Sequence, residues 1–232
     1  MKIKETALYL YIISSIIAIV GVIADNDFLL LITKPVIIPS VYFYYLVIAR
    51  RPNIFFTLFF AATFIGDAVV LLKLDNPIFT MVPYFISYVL MLKFILEDVV
   101  KTRIHYSAFG FSVVLFALLM LMTFLLTDIP AESGKNLVYP IIGYGIVLAA
   151  FVSFSVYNFM ALKTISGFYL LVASGCSLVS DVLYILYNQH FHISALNYVN
   201  ATMQLTSYYF FVKYMINRKI HIRMKQTTAV EL

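Results

Sequence analysis

This chain is short of what soluble, secreted and metal-binding proteins depend on. Only 12% of its 232 residues are charged, about half the share of an ordinary soluble domain. It has one cysteine, which excludes a disulfide framework and a cysteine-based metal site. That residue, Cys176, lies inside an apolar run and reads as a small packing residue. None of the four histidines falls within an apolar interior. His190 and His192 form a loop His-x-His with no third ligand in view, while His105 and His221 sit where lipid headgroups would meet them. Tryptophan is absent, so the belts and the core draw on 21 Phe and 18 Tyr. No Gly-x-Ser-x-Gly elbow, Gly-rich phosphate loop or His-Glu-x-x-His occurs, which removes the commonest serine-hydrolase, nucleotide-binding and zinc-protease signatures. A retinal-type Schiff base would need a lysine midway along the last apolar run. Lys213 stands near its end.

Hydrocarbon is abundant: 63% of residues are hydrophobic, with a mean hydropathy of +0.96. Apolar runs long enough to cross a bilayer, ~20 residues, fall near 6–24, 28–48, 54–72, 78–96, 105–126, 137–160, 168–187 and 196–216. The expectation is an all-α, polytopic bundle of eight transmembrane helices forming a single integral membrane domain over 1–232. The N-terminal "MKIKETALYLYIISSIIAIVGVIA" has the basic start of a signal peptide but no small-residue cleavage site, and reads as a retained first span. Short loops such as "ADND", "RRPN" and "LDNP" carry turn signals. The basic residues then orient the chain. Twelve lie on the side of the N-terminus: Lys2, Lys4, Arg50, Arg51, Lys101, Arg103, Lys163, Lys213, Arg218, Lys219, Arg223 and Lys225. The opposite side has only Lys73 and Lys135. Both termini are therefore expected in the cytosol, in the inner membrane of a bacterium or the endoplasmic reticulum of a eukaryote. Dispersed in this way, the net charge of +5 marks topology and contact with membrane lipids rather than nucleic acid. Oligomeric state is not set by any feature of the sequence.

Two acids break this pattern. Asp67 lies in "FFAATFIGDAVVLLKL" and Asp181 in "LLVASGCSLVSDVLYILY". An Asp near the centre of a spanning helix costs about 2.5–3.5 kcal/mol on insertion scales, so each needs a partner or a watery cavity. Counted from the expected outer ends, Lys34, Asp67, Asp181, Asn200 and Gln204 all lie roughly 6–12 Å deep at 1.5 Å per residue. Thr63 and Ser177 stand one helical turn below the two acids. Pro35 and Pro39, in "TKPVIIPS", free backbone carbonyls beside Lys34 and predict a kinked cavity wall. Lys93, near the end of the fourth run, reads as a snorkelling lysine. Two carboxylates in unlike surroundings supply a proton donor and a stabilising or accepting carboxylate; a buried structural ion pair is the plainer alternative. "IGDAVVLLKLDN" and "VSDVLYILYNQH" occupy the third spans of two four-helix halves, and "KPVII" and "YPIIG" open the second spans, suggesting a tandem four-helix repeat.

Lys34-Pro35 in "ITKPVIIP", Gly66-Asp67, Ser180-Asp181 in "SGCSLVSDVLYI" and Gln204 in "NATMQLTS" resemble, in order and placement, the YhhN family of eight-span membrane proteins that includes lysoplasmalogenases. The family commonly carries a histidine in the fourth span; "FISYVLMLKFI" has none, and Ser87 and Tyr88 are the nearest polar groups. The resemblance implies hydrolysis of the vinyl ether of a lysophospholipid to a fatty aldehyde and a glycerophospho-alcohol, without a metal or cofactor. Asp67 and Asp181 would be catalytic, their individual roles undecided. Lys34 would hold one Asp ionised or contact the phosphate, Asn200 and Gln204 would bind glycerol hydroxyls or water, and Thr63 and Ser177 would complete the lining. A proton-coupled transporter or a lipid-binding protein would use the same polar layer.

Overall fold

The computed structural model describes residues 3–49, 52–73, 77–100, 104–128 and 138–230. Within them lie eight α-helices: α1 (Ile3–Ile23), α2 (Asp27–Ala49), α3 (Ile54–Leu71), α4 (Pro77–Val99), α5 (Tyr106–Asp128), α6 (Val138–Leu162), α7 (Ile165–Leu186) and α8 (Ser194–Val230). A π-helical turn, Tyr187–Phe191, follows α7. Seven of the eight, α1 to α7, are long and apolar enough to cross a membrane. The chain is therefore an all-helical protein of multi-pass membrane character. α8 is less apolar because Asn197, Asn200, Gln204 and several hydroxyl residues share its first turns with hydrocarbon. Arg50, Arg51, Asp75, Lys101, Arg103 and Lys135, used above to set orientation or loops, lie outside the described residues, as does Lys2.

Local chemistry explains the helix ends. Asn53 Oδ1 accepts from Phe55 N at 2.9 Å, Thr164 Oγ1 from Gly167 N at 3.1 Å, and Asn26 Oδ1 from Leu29 N at 3.2 Å. Each satisfies a donor that the first helical turn leaves open. Glycine is scarce at the exits. Asp25, Lys73, Lys163 and His192 instead take the left-handed conformation, with φ of 44–49°, where glycine is the usual residue. α2 runs as one helix through Pro35 and Pro39. Thr33 and Ser40 on the same helix return their hydroxyls to the carbonyls of Leu29 and Val36 at 2.7 and 2.6 Å, the usual way a membrane helix hides a hydroxyl.

Consecutive helices pair as antiparallel hairpins, α1 with α2, α3 with α4, α5 with α6 and α7 with α8. Further contacts of α2 with α3, α4 with α6, α6 with α7 and α8 with α2 close a six-helix ring, α2–α3–α4–α6–α7–α8. α1 packs outside it against α2 and α8, and α5 against α6 alone. Large apolar side chains such as Ile16, Leu31, Ile65, Val114 and Leu121 are more than half exposed on the outer surface, where lipid tails would cover them. Inside, Phe56, Phe59, Phe94, Phe151 and Phe211 are almost wholly buried and stack or meet edge-on across the ring. This aromatic floor divides the interior into two polar levels.

Candidate functional site

Above the floor the ring encloses a cavity of about 480 Å³, within the ~300–1,000 Å³ range of small-molecule sites. Lys34, Asp67, Asp181, Asn200 and Gln204 all line it. Thr63 and Ser177 do not reach it. They line a separate void of about 20 Å³ one turn deeper, together with Ser87, Ser207 and Asp181.

Asp67 is buried and heavily bonded. Its Oδ1 accepts from Tyr84 Oη, from Gln204 Nε2 at 2.9 Å and from Tyr208 Oη at 2.9 Å. Tyr208 Oη also stands 3.1 Å from Oδ2, so its single proton straddles the carboxylate. Gln204 Nε2 donates to Tyr84 Oη at 2.8 Å as well, closing a three-residue ring around one oxygen. Lys34 lines the same cavity, and among the described residues it forms no ion pair within 4 Å. Gly66 makes the close approach possible. A Cβ there would lie 2.9 Å from Tyr84 Cζ and 3.0 Å from its Cε2, inside van der Waals contact.

Asp181 is held differently. Tyr88 Oη and Tyr144 Oη both donate to its Oδ2, each at 2.6 Å, and among the described residues no donor reaches Oδ1. The ring of Tyr88 stacks on Phe151 at 5.2 Å, so the aromatic floor itself fixes one donor. Beside Asp181, Ser180 donates to Asn200 Oδ1 at 2.7 Å, which ties α7 to α8 and spends Asn200's acceptor on the protein.

The sequence did not single out the tyrosines. Tyr84, Tyr144 and Tyr208 stand with Tyr88 as the phenol donors to the two acids, and Tyr88 was noted only as a polar neighbour in the fourth run. A signal for two of them exists. Ser87-Tyr88 with Lys93 in α4, and Ser207-Tyr208 with Lys213 in α8, have the same spacing. The two serines also meet the buried hydroxyls, Ser87 Oγ lying 3.1 Å from Thr63 Oγ1.

The rim carries charge. Lys73 Nζ lies 2.6 Å from Asp27 Oδ2 in an exposed pair joining the end of α3 to the start of α2. The hydrogen bond to Asp27 holds the Lys73 ammonium above the ordinary lysine range.

Below the floor is a second polar level. Arg218, 8% exposed, donates through Nε to Asp98 Oδ1 and Oδ2 at 2.8 and 3.0 Å and through Nη2 to Glu97 at 2.9 Å. Tyr214 Oη also donates to Asp98, at 2.8 Å. Lys93 is half-exposed over the Phe55 ring with Glu97 at 3.9 Å. Among the described residues no three His, Cys, Asp or Glu side chains gather as a metal site requires. The side chain of His190 lies outside the described residues.

Comparison with protein-family models, with curated proteins and with solved structures finds no match to this chain.

Proposed function

We propose that this chain is a membrane-embedded hydrolase that cleaves the vinyl ether of lysoplasmalogen-type lysophospholipids, as members of the YhhN family do. The observation that carries the reading is the unequal coverage of two carboxylates that line one cavity. Asp67 accepts at both oxygens. Asp181 accepts at Oδ2 alone, leaving Oδ1 for a ligand. Asp181 is accordingly the proton donor and Asp67 the anion.

Protonation of the vinyl β-carbon by Asp181 moves the C=C electron pair into the new C–H bond and leaves an oxocarbenium ion stabilised by the ether oxygen. Asp67 offsets that positive charge, as the paired carboxylates of glycosidases do. Water adds to the cationic carbon and gives its proton to a carboxylate. The hemiacetal then collapses to a fatty aldehyde and the glycerophospho-alcohol, consuming one water overall. The deeper void, lined by Thr63, Ser87, Ser177 and Ser207, has room for about one water and partners to bind it. Lys34 faces the cavity and suits the substrate phosphate; Gln204 and Asn200 flank the glycerol.

In this reading α8 is the eighth span, both termini are cytosolic, and the cavity opens toward the outer side. The two halves are a tandem repeat: α1–α4 and α5–α8 follow the same packing order, with Asp67 and Asp181 on equivalent helices. A carrier using the same polar layer is the second reading, supported by the two polar levels separated by an aromatic floor. Purified protein in detergent is expected to release aldehyde from lysoplasmalogen, and Asp67→Asn and Asp181→Asn are expected to abolish release while remaining folded. Aldehyde release unchanged in both variants would sink the assignment, and uptake of intact substrate into vesicles would transfer it to the carrier.

A further inference from the structure

Two lysines line the main cavity, and they are held differently. Lys73, at the rim, is occupied by Asp27 at 2.6 Å. Lys34 lies deeper along α2 and, among the described residues, forms neither an ion pair within 4 Å nor a hydrogen bond. The other lysines at membrane level are engaged elsewhere. Lys93 lies over the Phe55 ring with Glu97 at 3.9 Å, and Lys213 donates to Tyr44 Oη at 3.3 Å. Lys34 thus brings a primary amine into a space of about 480 Å³ that Asp67 and Asp181 also line. Its immediate flanks are hydrocarbon. Leu30 and Ile37, one helical turn to either side on the same face of α2, line the cavity with it, joined by Ala18 of α1 and Leu205 of α8.

We propose that Lys34 is a carbonyl-binding site, whose amine condenses reversibly with an alkyl aldehyde lying against Leu30 and Ile37. The ammonium passes one proton to a carboxylate of the cavity. The freed amine adds to the aldehyde carbon, and its N–H proton moves to the oxygen, giving a carbinolamine. The carboxylic acid then returns its proton to the hydroxyl, which leaves as water while the nitrogen lone pair closes the C=N bond. One water is released, and neither an oxidant nor a reductant is consumed. The iminium carries the charge that the ammonium had, so the cavity gains no unbalanced charge, which a membrane interior penalises. Asp181, open at Oδ1 among the described residues, is the acid free to make both transfers. Apolar walls favour keeping the alkyl chain and losing the water. The site stands on the cavity itself; only the origin of the aldehyde, as the product of vinyl ether cleavage, rests on the hydrolase reading above. While the adduct lasts it fills the cavity, so that product would inhibit its own formation.

The test adds decanal to the full chain in phosphatidylcholine nanodiscs, reduces imines with cyanoborohydride and maps every lysine by peptide mass spectrometry. Reduction fixes the adduct as a secondary amine, heavier than lysine by the aldehyde less one oxygen. Lys34 is expected to carry on the order of tenfold more adduct than Lys73 or Lys213, because a cavity holds the reactants together. Lys34→Arg, which keeps the cation, is expected to remove that adduct and leave the others. Labelling spread evenly over the lysines, or none at Lys34, overturns the proposal. In a second arm lysoplasmalogen replaces decanal, and release of the glycerophospho-alcohol is followed separately. An adduct on Lys34 in both arms supports the site and its source together. An adduct from decanal alone keeps the site, and absence of the glycerophospho-alcohol then removes the hydrolase. Glycerophospho-alcohol released with Lys34 unlabelled in both arms keeps the hydrolase and removes the site.

Discussion

Gly66→Ala separates packing from helix propensity by the sign of its effect. Inside a helix, replacing glycine with alanine is worth about 1 kcal/mol, and Gly143 and Gly175 have nothing within 4 Å of a built Cβ. Alanine at either of those positions should stabilise. At Gly66 the same methyl meets the Tyr84 ring at 2.9–3.2 Å across three of its carbons, against an optimum of about 3.5–4.0 Å. A planar ring cannot bend away, so Tyr84 or α3 must shift. Overpacking of this kind costs about 1–3 kcal/mol. Losing the Tyr84 bond to the Asp67 carboxylate adds about 1.5–3 kcal/mol, which exceeds the propensity gain. At about 2–4 °C per kcal/mol for a chain of this size, Gly66→Ala should lower the unfolding temperature in detergent by about 4 °C or more. Gly143→Ala and Gly175→Ala should raise it by about 2–4 °C. In a Tyr84→Phe background the hydrogen-bond part has already been removed, so Gly66→Ala should cost measurably less there. The same rise for all three alanines, or an equal cost in both backgrounds, would refute the close contact as the reason for glycine.

Two further perturbations act on opposite sides of the aromatic floor. Tyr88→Phe and Tyr144→Phe each leave Asp181 with one donor, and each should cost about 1.5–3 kcal/mol, with the double variant losing aldehyde release beyond either single change; equal activity of all three per folded molecule would exclude these hydroxyls from orienting Asp181. Arg218→Ala leaves Asp98 and its Tyr214 partner around a missing cation, a loss of about 3–5 kcal/mol for a buried pair, read as a large fall in unfolding temperature with aldehyde release per folded molecule retained.

Much of the site was legible because a membrane makes polar residues costly. Lys34, Asp67, Asp181, Asn200 and Gln204 could be compared by depth alone, since the spans fix a common frame, and all five line one cavity. Depth does not give direction, however. Thr63 and Ser177, one turn below the acids, face the smaller void instead. The tyrosines were hidden by abundance. With 18 in the chain and a preference for interfaces, a buried donor reads like any belt residue until the helices are packed. Arg218 was obscured for the opposite reason. As one basic residue among twelve at a membrane edge it reads as a topology marker, yet Asp98 and Glu97 on α4 turn it into a buried clamp. The peripheral place of α5 is equally invisible, because a helix apolar on every face does not declare which face is inside.

In the proposed tandem repeat the two acids stand on equivalent helices yet are held differently. α4 and α8 each bring a Ser-Tyr pair to the site, and each tyrosine crosses to the acid of the other half: Tyr88 to Asp181 and Tyr208 to Asp67. One turn earlier the equivalence fails. α4 has Tyr84 and α8 has Gln204, and both turn to Asp67. The remaining donor to Asp181 is Tyr144 on α6, while the corresponding helix α2 presents Lys34 to the cavity. Asp67 is thus covered at both oxygens, whereas Asp181 is, among the described residues, open at Oδ1. The proposed proton transfer followed by cation stabilisation uses that inequality, because the acid open at Oδ1 is the one a ligand can reach.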